Sequence, residues 1–398
     1  MFDVKRCLLN RVAAIFVIAL GGYSQLSNAA EKSSVSSLVD KLIPELMTEY
    51  EIPGVAVAIT HEGNDYLYEF GVQDEKTGTP VTEHTLFEVG SISKLFTATL
   101  AAKAEVQGMI SLDKPIATYA DALTGTPLGK VPVFHLATHT AGGFPLQLPG
   151  NIESYDSLTK YYQNWAPQFP EGTRRSYANP SIGLLGILTA SAQNAEFVAL
   201  MDKELFRPIG LNNTYIEVPD TEFVNYAWGK SRQGKNVRVT PAVLANEAYG
   251  IKTTNQDLLQ FLKLHLLDME KSNVMRKAAL ATHKGYFDTG PYYQALVWEK
   301  YPFPVDPCSL KKGNSYKMIF ESGTVKTVAS EKKGYENYLL SKTGATNGFG
   351  AYVIAVPHRK FAMLLLANKN YSMSARIETA YNIMSEVLSL NTTYCEKS

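Results

Sequence analysis

Three short motifs, far apart in a chain of 398 residues, carry side chains that could act together. Ser91-Ile-Ser-Lys94 sets a hydroxyl and an amine three residues apart. Tyr177-Ala-Asn179 offers a phenol beside an amide, and Lys342-Thr-Gly344 runs towards the strand-like stretch Ala351-Tyr-Val-Ile-Ala-Val-Pro357. A hydroxyl nucleophile, a proton shuttle and a strand with backbone amides to donate, in that order, describe a serine acyl-transfer site.

Each triplet is weak by itself, so context must choose among copies. S-x-x-K occurs at Ser91, Ser111, Ser157, Ser309 and Ser330; K-T-G recurs at Lys76-Thr-Gly78 and Y-x-N at Tyr335-Glu-Asn337. Ser91 follows Gly90 and precedes Leu95-Phe-Thr-Ala-Thr-Leu-Ala-Ala102, apolar nearly all round, which predicts a buried helix. Ser91 and Lys94 then share a face at its first turn, where backbone amides and the helix dipole favour developing negative charge. A buried lysine loses its proton more easily and can accept the serine's. The alternative is an N-cap serine beside a solvated lysine, which suits Ser309 and Ser330, both in charged stretches that read as loops. Lys76-Thr-Gly78 sits in a polar turn. Lys342-Thr-Gly344 joins two apolar runs, where a glycine would let a ligand approach the strand backbone. There Lys342 can hold an anion, Thr343 can donate a hydroxyl and the Ala345 amide can serve an oxyanion hole. A tyrosine flanked by lysines titrates low enough to act as a base; the plainer alternative for Tyr177 is a packed aromatic with its hydroxyl satisfied. The histidines and carboxylates form no Ser-His-Asp set, and no metal-ligand spacing appears, so no zinc is expected.

These residues need a scaffold. Gly54–Thr60 and Asp65–Phe70 read as a hairpin around His61-Glu-Gly-Asn64. A second strand cluster spans 338–342, 349–356 and 361–367, followed by an amphipathic helix over 374–388. Between them, 97–106, 133–137, 157–165, 181–191 and 195–205 read as helices. Strands at both ends with helices between predict an α+β chain: a discontinuous sheet domain over 30–105 and 230–398, and an inserted, mainly helical domain over 106–229. Lys5, Arg6 and Arg11 precede a short apolar run, 12–20, and Ser27-Asn28-Ala29 supplies small residues, so 1–29 read as a cleaved signal peptide. After cleavage Cys308 and Cys395 remain; an oxidising compartment permits a bridge, with free thiols as the default. Lysine plus arginine and aspartate plus glutamate each number 38. A formal charge of zero offers nothing to nucleic acid or an anionic membrane.

With the motifs in place, the chain resembles a class C β-lactamase, a serine cephalosporinase of Gram-negative bacteria. The likeness covers nearly all of the mature chain. Beyond the triplets it rests on Phe87–Thr97, Leu136–Gln147, Tyr226-Ala-Trp-Gly229, Glu247–Lys252, Gly344–Gly350 and Leu366-Ala-Asn-Lys369. The resemblance implies the serine β-lactamase/D-Ala-D-Ala peptidase-like fold, an antiparallel sheet flanked by helices plus a helical domain. It implies Ser91 as the acylated nucleophile, Lys94 and Tyr177 as the proton-transfer pair, and Lys342 linking that network to substrate. Amides of Ser91 and Ala345 match the oxyanion hole. Gln147 and Asn179 match contacts to the acyl side-chain amide, Tyr249 the wall of that pocket, and Thr343 and Arg376 positions near the substrate carboxylate, on a strand edge that includes Gly344 and Asn347. No cofactor or metal is implied.

Two departures bear on substrate ranking. Met373 stands where the family often has an asparagine facing the carboxylate, and Asn347 where a glycine is common. The expectation is a monomeric periplasmic enzyme hydrolysing β-lactam antibiotics, cephalosporins preferentially, and so conferring resistance. The rivals are a D-alanyl-D-alanine peptidase or serine esterase of the same fold, or a penicillin-binding sensor that acylates without turning over.

Overall fold

A computed structural model describes residues 34–267, 273–329 and 337–391. The expected signal peptide lies outside them, as does Ser330. A helix over 34–50 (α1) leads into strand β1 (Gly54–His61), which pairs antiparallel with β2 (Asn64–Asp74). Glu62 and Gly63 both take positive φ at the hairpin tip, the twist that suits a two-residue connection. Strand β3 (Thr79–Pro80) closes that edge.

The remaining strands of the main sheet come from the second half: β4 (Phe287–Asp288), β5 (Tyr293–Gln294), β6 (Glu299–Pro302), β7 (Lys326–Thr327), β8 (Tyr338–Ala345), β9 (Gly350–Val356) and β10 (Phe361–Ala367). They order as β7-β4-β5-β6-β8-β9-β10-β1-β2-β3, every pairing antiparallel. Among the described residues no strand of this sheet comes from 81–286.

Both faces of the sheet are covered, so β9 and β10 are buried along their whole length. Val55, Val57 and Ile59 of β1 pack with Val35, Val39 and Ile43 of α1 and with Ile377, Ile383 and Met384 of the last helix. Their neighbours Ala56 and Ala58 face the opposite layer with Phe96 and Phe261. The period-2 alternation of large and small residues thus assigns one face to the terminal helices and leaves room on the other for bulky helical side chains.

The second layer contains α2 (Ser93–Val106), α3 (Asn179–Ser191) and α4 (Asn255–Lys263), before the terminal α5 (Met373–Val387). Residues 93–104 of α2 are all buried, as an all-round apolar helix requires. Shorter helices lie at Phe134–Ala137 and Tyr155–Asn164; the stretch expected helical over 195–205 is a short α-turn, Phe197–Met201, passing into a π-turn, Asp202–Phe206. Ser309 stands in a helix, Pro307–Gly313, not in the expected loop: Asp306 caps it and Pro307 opens it, two local signals that the charged composition obscured. Cys308 is disulfide-bonded, against the free-thiol default, and its partner lies outside the described residues.

Candidate active site

Ser91 occupies a 3₁₀ turn, Gly90–Ile92, immediately before α2, and Lys94 lies on the first turn of α2 itself. That turn is pinned from one side. Ile251 N–H donates to Ser93 Oγ (3.1 Å) and Thr97 Oγ1 donates to the Glu247 carbonyl (2.6 Å). The end of β8 abuts it from the other. A Cβ on Gly90, which has φ +51°, would collide with the Ala345 backbone, and a Cβ on Gly344 with the Val89 carbonyl. Gly344 thus admits the chain carrying the serine on the side a Cβ would occupy, while it also lines the cleft described below. Strand end and nucleophile turn are thereby in backbone contact.

Lys94 is fully buried, and its Nζ donates to Ser91 Oγ (3.0 Å) and to the Ala248 carbonyl (2.8 Å). Burial drives its ammonium down; Tyr177 opposes this and Lys342 adds to it, leaving the pKa at about 8.

Tyr177 stands two residues after the two-residue strand Arg174–Arg175 and two before the start of α3. Ser176 N–H donates to the His139 carbonyl (2.9 Å) and Ala178 N–H to His139 Nδ1 (3.3 Å), so a loop residue with φ +60° fixes the segment on both sides of the tyrosine. The ring is ringed by cations: Lys94 Nζ at 5.4 Å from its centroid, Lys342 Nζ at 5.1 Å and the Arg175 guanidinium at 5.3 Å. Burial alone would push the phenol up; Lys342, Lys94, the Ser91 hydroxyl and Arg175 together outweigh it and bring it to about 8. The hydroxyl is buried and makes no well-formed hydrogen bond, so Ser91 acts on it by proximity.

Lys342 lies mid-strand in β8, nearly buried, donating to the Thr343 carbonyl (3.1 Å), with Glu299 Oε1 of β6 at 3.7 Å. Burial raises the Glu299 carboxyl, against the pull of Lys342 and Arg175. Lys94 and Tyr177, each titrating at about 8, therefore stand beside Ser91, with Lys342 next to the phenol.

Above them opens a cleft of about 670 Å³. Its wall takes in Ser91, Gln147, Tyr177, Asn179, Tyr249, Lys342, Thr343, Gly344, Ala345, Asn347 and Arg376, with Lys94 beneath. The structure thus gathers every sequence-predicted site residue in one place. Asn179 Nδ2 donates to Gln147 Oε1 (2.8 Å), while Asn179 Oδ1 is buried and unpartnered. Arg376 is almost wholly buried, its guanidinium donating to the carbonyls of Gly344 (2.9 Å) and Tyr371 (2.6 Å) and to Asn370 Oδ1 (2.7 Å). It braces the strand end from below. Met373 lines the cleft above it.

Sequence reasoning passed over Arg175, His139 and Glu299. Arg175 had a local signal, a second arginine two residues before Tyr177; the other two reach the site only through the fold. Among the described residues no group of three or more His, Cys, Asp or Glu side chains is placed to hold a metal ion.

The family model described as Beta-lactamase matches residues 39–388. A protein named Beta-lactamase from Lysobacter lactamgenus is 41% identical over 353 residues, 89% of this chain and 92% of that one. A solved structure described as a Beta-Lactamase/D-Alanine Carboxypeptidase from Pseudomonas syringae superposes with a TM-score of 0.86 at 41% identity, covering 88% of this chain and 99% of its own. A class C beta-lactamase solved in complex with cefoxitin gives 0.86 at 40% identity, with 89% and 99% covered.

Proposed function

This chain belongs to the beta-lactamase family, as a serine hydrolase of the class C type, and from that premise we propose that it hydrolyses β-lactams, cephalosporins preferentially, through an acyl-enzyme on Ser91. The observation that carries the reading is the 3.0 Å hydrogen bond from Lys94 Nζ to Ser91 Oγ, made by a fully buried lysine whose pKa is lowered to about 8. Ser91 Oγ attacks the lactam carbonyl carbon while its proton passes to the Lys94–Tyr177 pair. The amides of Ser91 and Ala345 stabilise the oxyanion. The C–N bond breaks as the pair returns the proton to the departing nitrogen. Water, deprotonated by Tyr177, then attacks the ester, and Ser91 Oγ leaves with that proton. Lys342 keeps the phenol acidic and faces the substrate acid together with Thr343 and Asn347; Arg376 holds the Gly344 end of the strand.

The unpartnered Asn179 Oδ1 supports an acyl side-chain amide donating to it, with the Gln147 amide nitrogen as the donor and Tyr249 as the wall. The chain is proposed to act as a monomer in the periplasm; among the described residues no helix is long and apolar enough to cross a membrane. Steady-state hydrolysis of one cephalosporin and one penicillin, with mass spectrometry of a slow substrate, tests the reading. The expected adduct lies on the Ser91 peptide, and an adduct on Ser111, Ser157, Ser309 or Ser330 overturns it.

A second reading, D-alanine carboxypeptidase activity, is favoured by the Pseudomonas syringae structure, whose description carries both activities. Release of D-alanine from a D-Ala-D-Ala peptide measures it directly.

A further inference from the structure

Arg175 is a buried cation that touches none of the reacting atoms named above. Its Nε donates to Gln294 Oε1 (2.6 Å) and its Nη1 to the Met318 carbonyl (2.7 Å). Gln294 is fully buried and held by its own bonds to the Ala295 (2.9 Å) and Trp298 (3.3 Å) carbonyls. The guanidinium can therefore sit in one place, 5.3 Å from the Tyr177 ring centre.

Met318 belongs to a short helix, Tyr316–Phe320, on the rim of the cleft. Tyr316 and Phe320 are 64% and 65% exposed, their rings stacked with centroids 6.0 Å apart, a flat apolar face beside the substrate channel. The rim is laced to the residues just ahead of Tyr177. Arg174 Nη2 donates to the Ser322 carbonyl (3.0 Å), the Ser176 and Ser322 hydroxyls share a hydrogen bond (2.6 Å), and Gly323–Thr324 pair with Arg174–Arg175.

We propose that Arg175 is a positioning residue for this reaction, backing the Tyr177 ring with one face of its guanidinium while its Nη1 seats the aromatic rim. The inference rests on reading Tyr177 as the proton shuttle. It makes one side chain responsible both for the pH at which the phenol works and for how substrates with a large apolar substituent are received at this rim. The charged and titratable groups around Tyr177 are Lys94 from α2, Lys342 from β8, Arg175 itself, His139 from the preceding loop, and Tyr292 with Glu299 from the β5–β6 side. Burial, with Arg175, Lys94 and Lys342, holds the His139 imidazole well below its usual range, so it is neutral and adds no charge at working pH. Removing the Arg175 charge removes one of three cations that keep the phenolate accessible.

The test uses the mature full-length enzyme and two β-lactams, one with a bulky aromatic substituent and one without, over about pH 6 to 10. Arg175→Gln is expected to move the acid limb of kcat/KM upward by about one pH unit for both substrates, with a roughly tenfold loss near neutrality that is recovered at high pH. Arg175→Lys keeps the charge but lacks the planar fork. It should leave the limb in place and raise KM severalfold for the bulky substrate only. An unmoved limb in folded Arg175→Gln overturns the inference, as does a loss equal at every pH. If Arg175→Gln does not fold, Arg175→Lys decides alone: unchanged relative KM for the two substrates overturns the link to the rim. Tyr177→Phe separates this failure from the one beneath it. An unimpaired Tyr177→Phe sinks the shuttle reading, whereas an impaired one with a normal Arg175→Gln sinks only the role of Arg175.

Discussion

At the floor of the cleft, Lys94, Lys342 and Tyr177 are 0%, 3% and 8% exposed, and each is surrounded by charge or fixed by hydrogen bonds. At the carboxylate end and the rim, Asn347 is exposed, Met373 half-buried, and Tyr316 and Phe320 project into solvent. In the first region position is over-determined by buried groups that would be costly to leave unmatched. In the second, side chains can change without disturbing what lies beneath, because Arg376 braces the strand end from below through Gly344, Asn370 and Tyr371. The contrast assigns chemistry to the floor and substrate ranking to the rim, and it can be broken at either end.

The largest effect belongs to Ser91. Ser91→Ala should leave the fold intact and remove turnover altogether, and the slow-substrate adduct should vanish from the Ser91 peptide in mass spectra. Residual turnover at the wild-type rate would place the nucleophile elsewhere and dissolve the distinction between floor and rim.

Tyr177→Phe comes next. The ring and its packing against three cations survive; the proton site does not. A loss of roughly 10²–10⁴ in kcat is expected, the usual range for general acid–base groups. Lys94 and Tyr177 both lie at about 8 and face one another, so the acid limb of kcat/KM belongs to the pair and should appear in that region. Activity rises as pH climbs through it, because the basic form does the work. In Tyr177→Phe the limb should flatten. Wild-type turnover in a folded Tyr177→Phe enzyme would eliminate the phenol as shuttle.

How far the floor was legible in the sequence follows from where its constraints act. The all-round apolar stretch after Ser91 predicts a buried helix, and that burial is what distinguishes Lys94 from the exposed Lys114, Lys160 and Lys312 of the other described S-x-x-K copies. The apolar runs flanking Lys342-Thr-Gly344 likewise predict the strand that forms. What the sequence concealed is tertiary. That Gly344 meets the Val89 carbonyl needs two segments more than 250 residues apart to be brought together. Arg175 reaches Met318 across 143 residues, and no local pattern encodes that bond. The Pro307–Gly313 helix was missed for the opposite reason, since its cap and first-turn proline are local but its charged composition spoke for a loop.

A third prediction sharpens the cost of the floor. Lys94 titrates near 10.5 when unfolded and at about 8 when folded. A depressed ammonium means that the unfolded chain binds more protons between these values, so this group's contribution to stability rises with pH across about 8 to 10.5, and its penalty is complete below. Lys94→Met should therefore be inactive yet more stable near neutrality, by roughly 2 kcal/mol after allowance for two lost hydrogen bonds. The gain should shrink as pH approaches about 10. Denaturant unfolding at two pH values measures it, and a Lys94→Met enzyme less stable at both would show that the lysine is a structural asset.

The smallest effect lies at the carboxylate end. A thioether is a weak acceptor and donates nothing to a carboxylate, so at Met373 the substrate acid must rely on Thr343, Lys342, Asn347, Arg376 or water. Arg376 already spends its two terminal nitrogens on Gly344, Asn370 and Tyr371. Met373→Asn is predicted to strengthen binding of carboxylate-bearing β-lactams by about 0.5–1.5 kcal/mol, the net worth of one neutral hydrogen bond. The gain should appear as a lower KM with kcat unchanged, because the contact is equal in ground and transition states. An analogue lacking the carboxylate should gain nothing. Measuring both substrates on both enzymes decides it: an equal change for the two means that position 373 acts through packing. In that case the rim would be coupled to the floor by side-chain fit, and the separation of ranking from chemistry would have to be withdrawn at this end of the cleft.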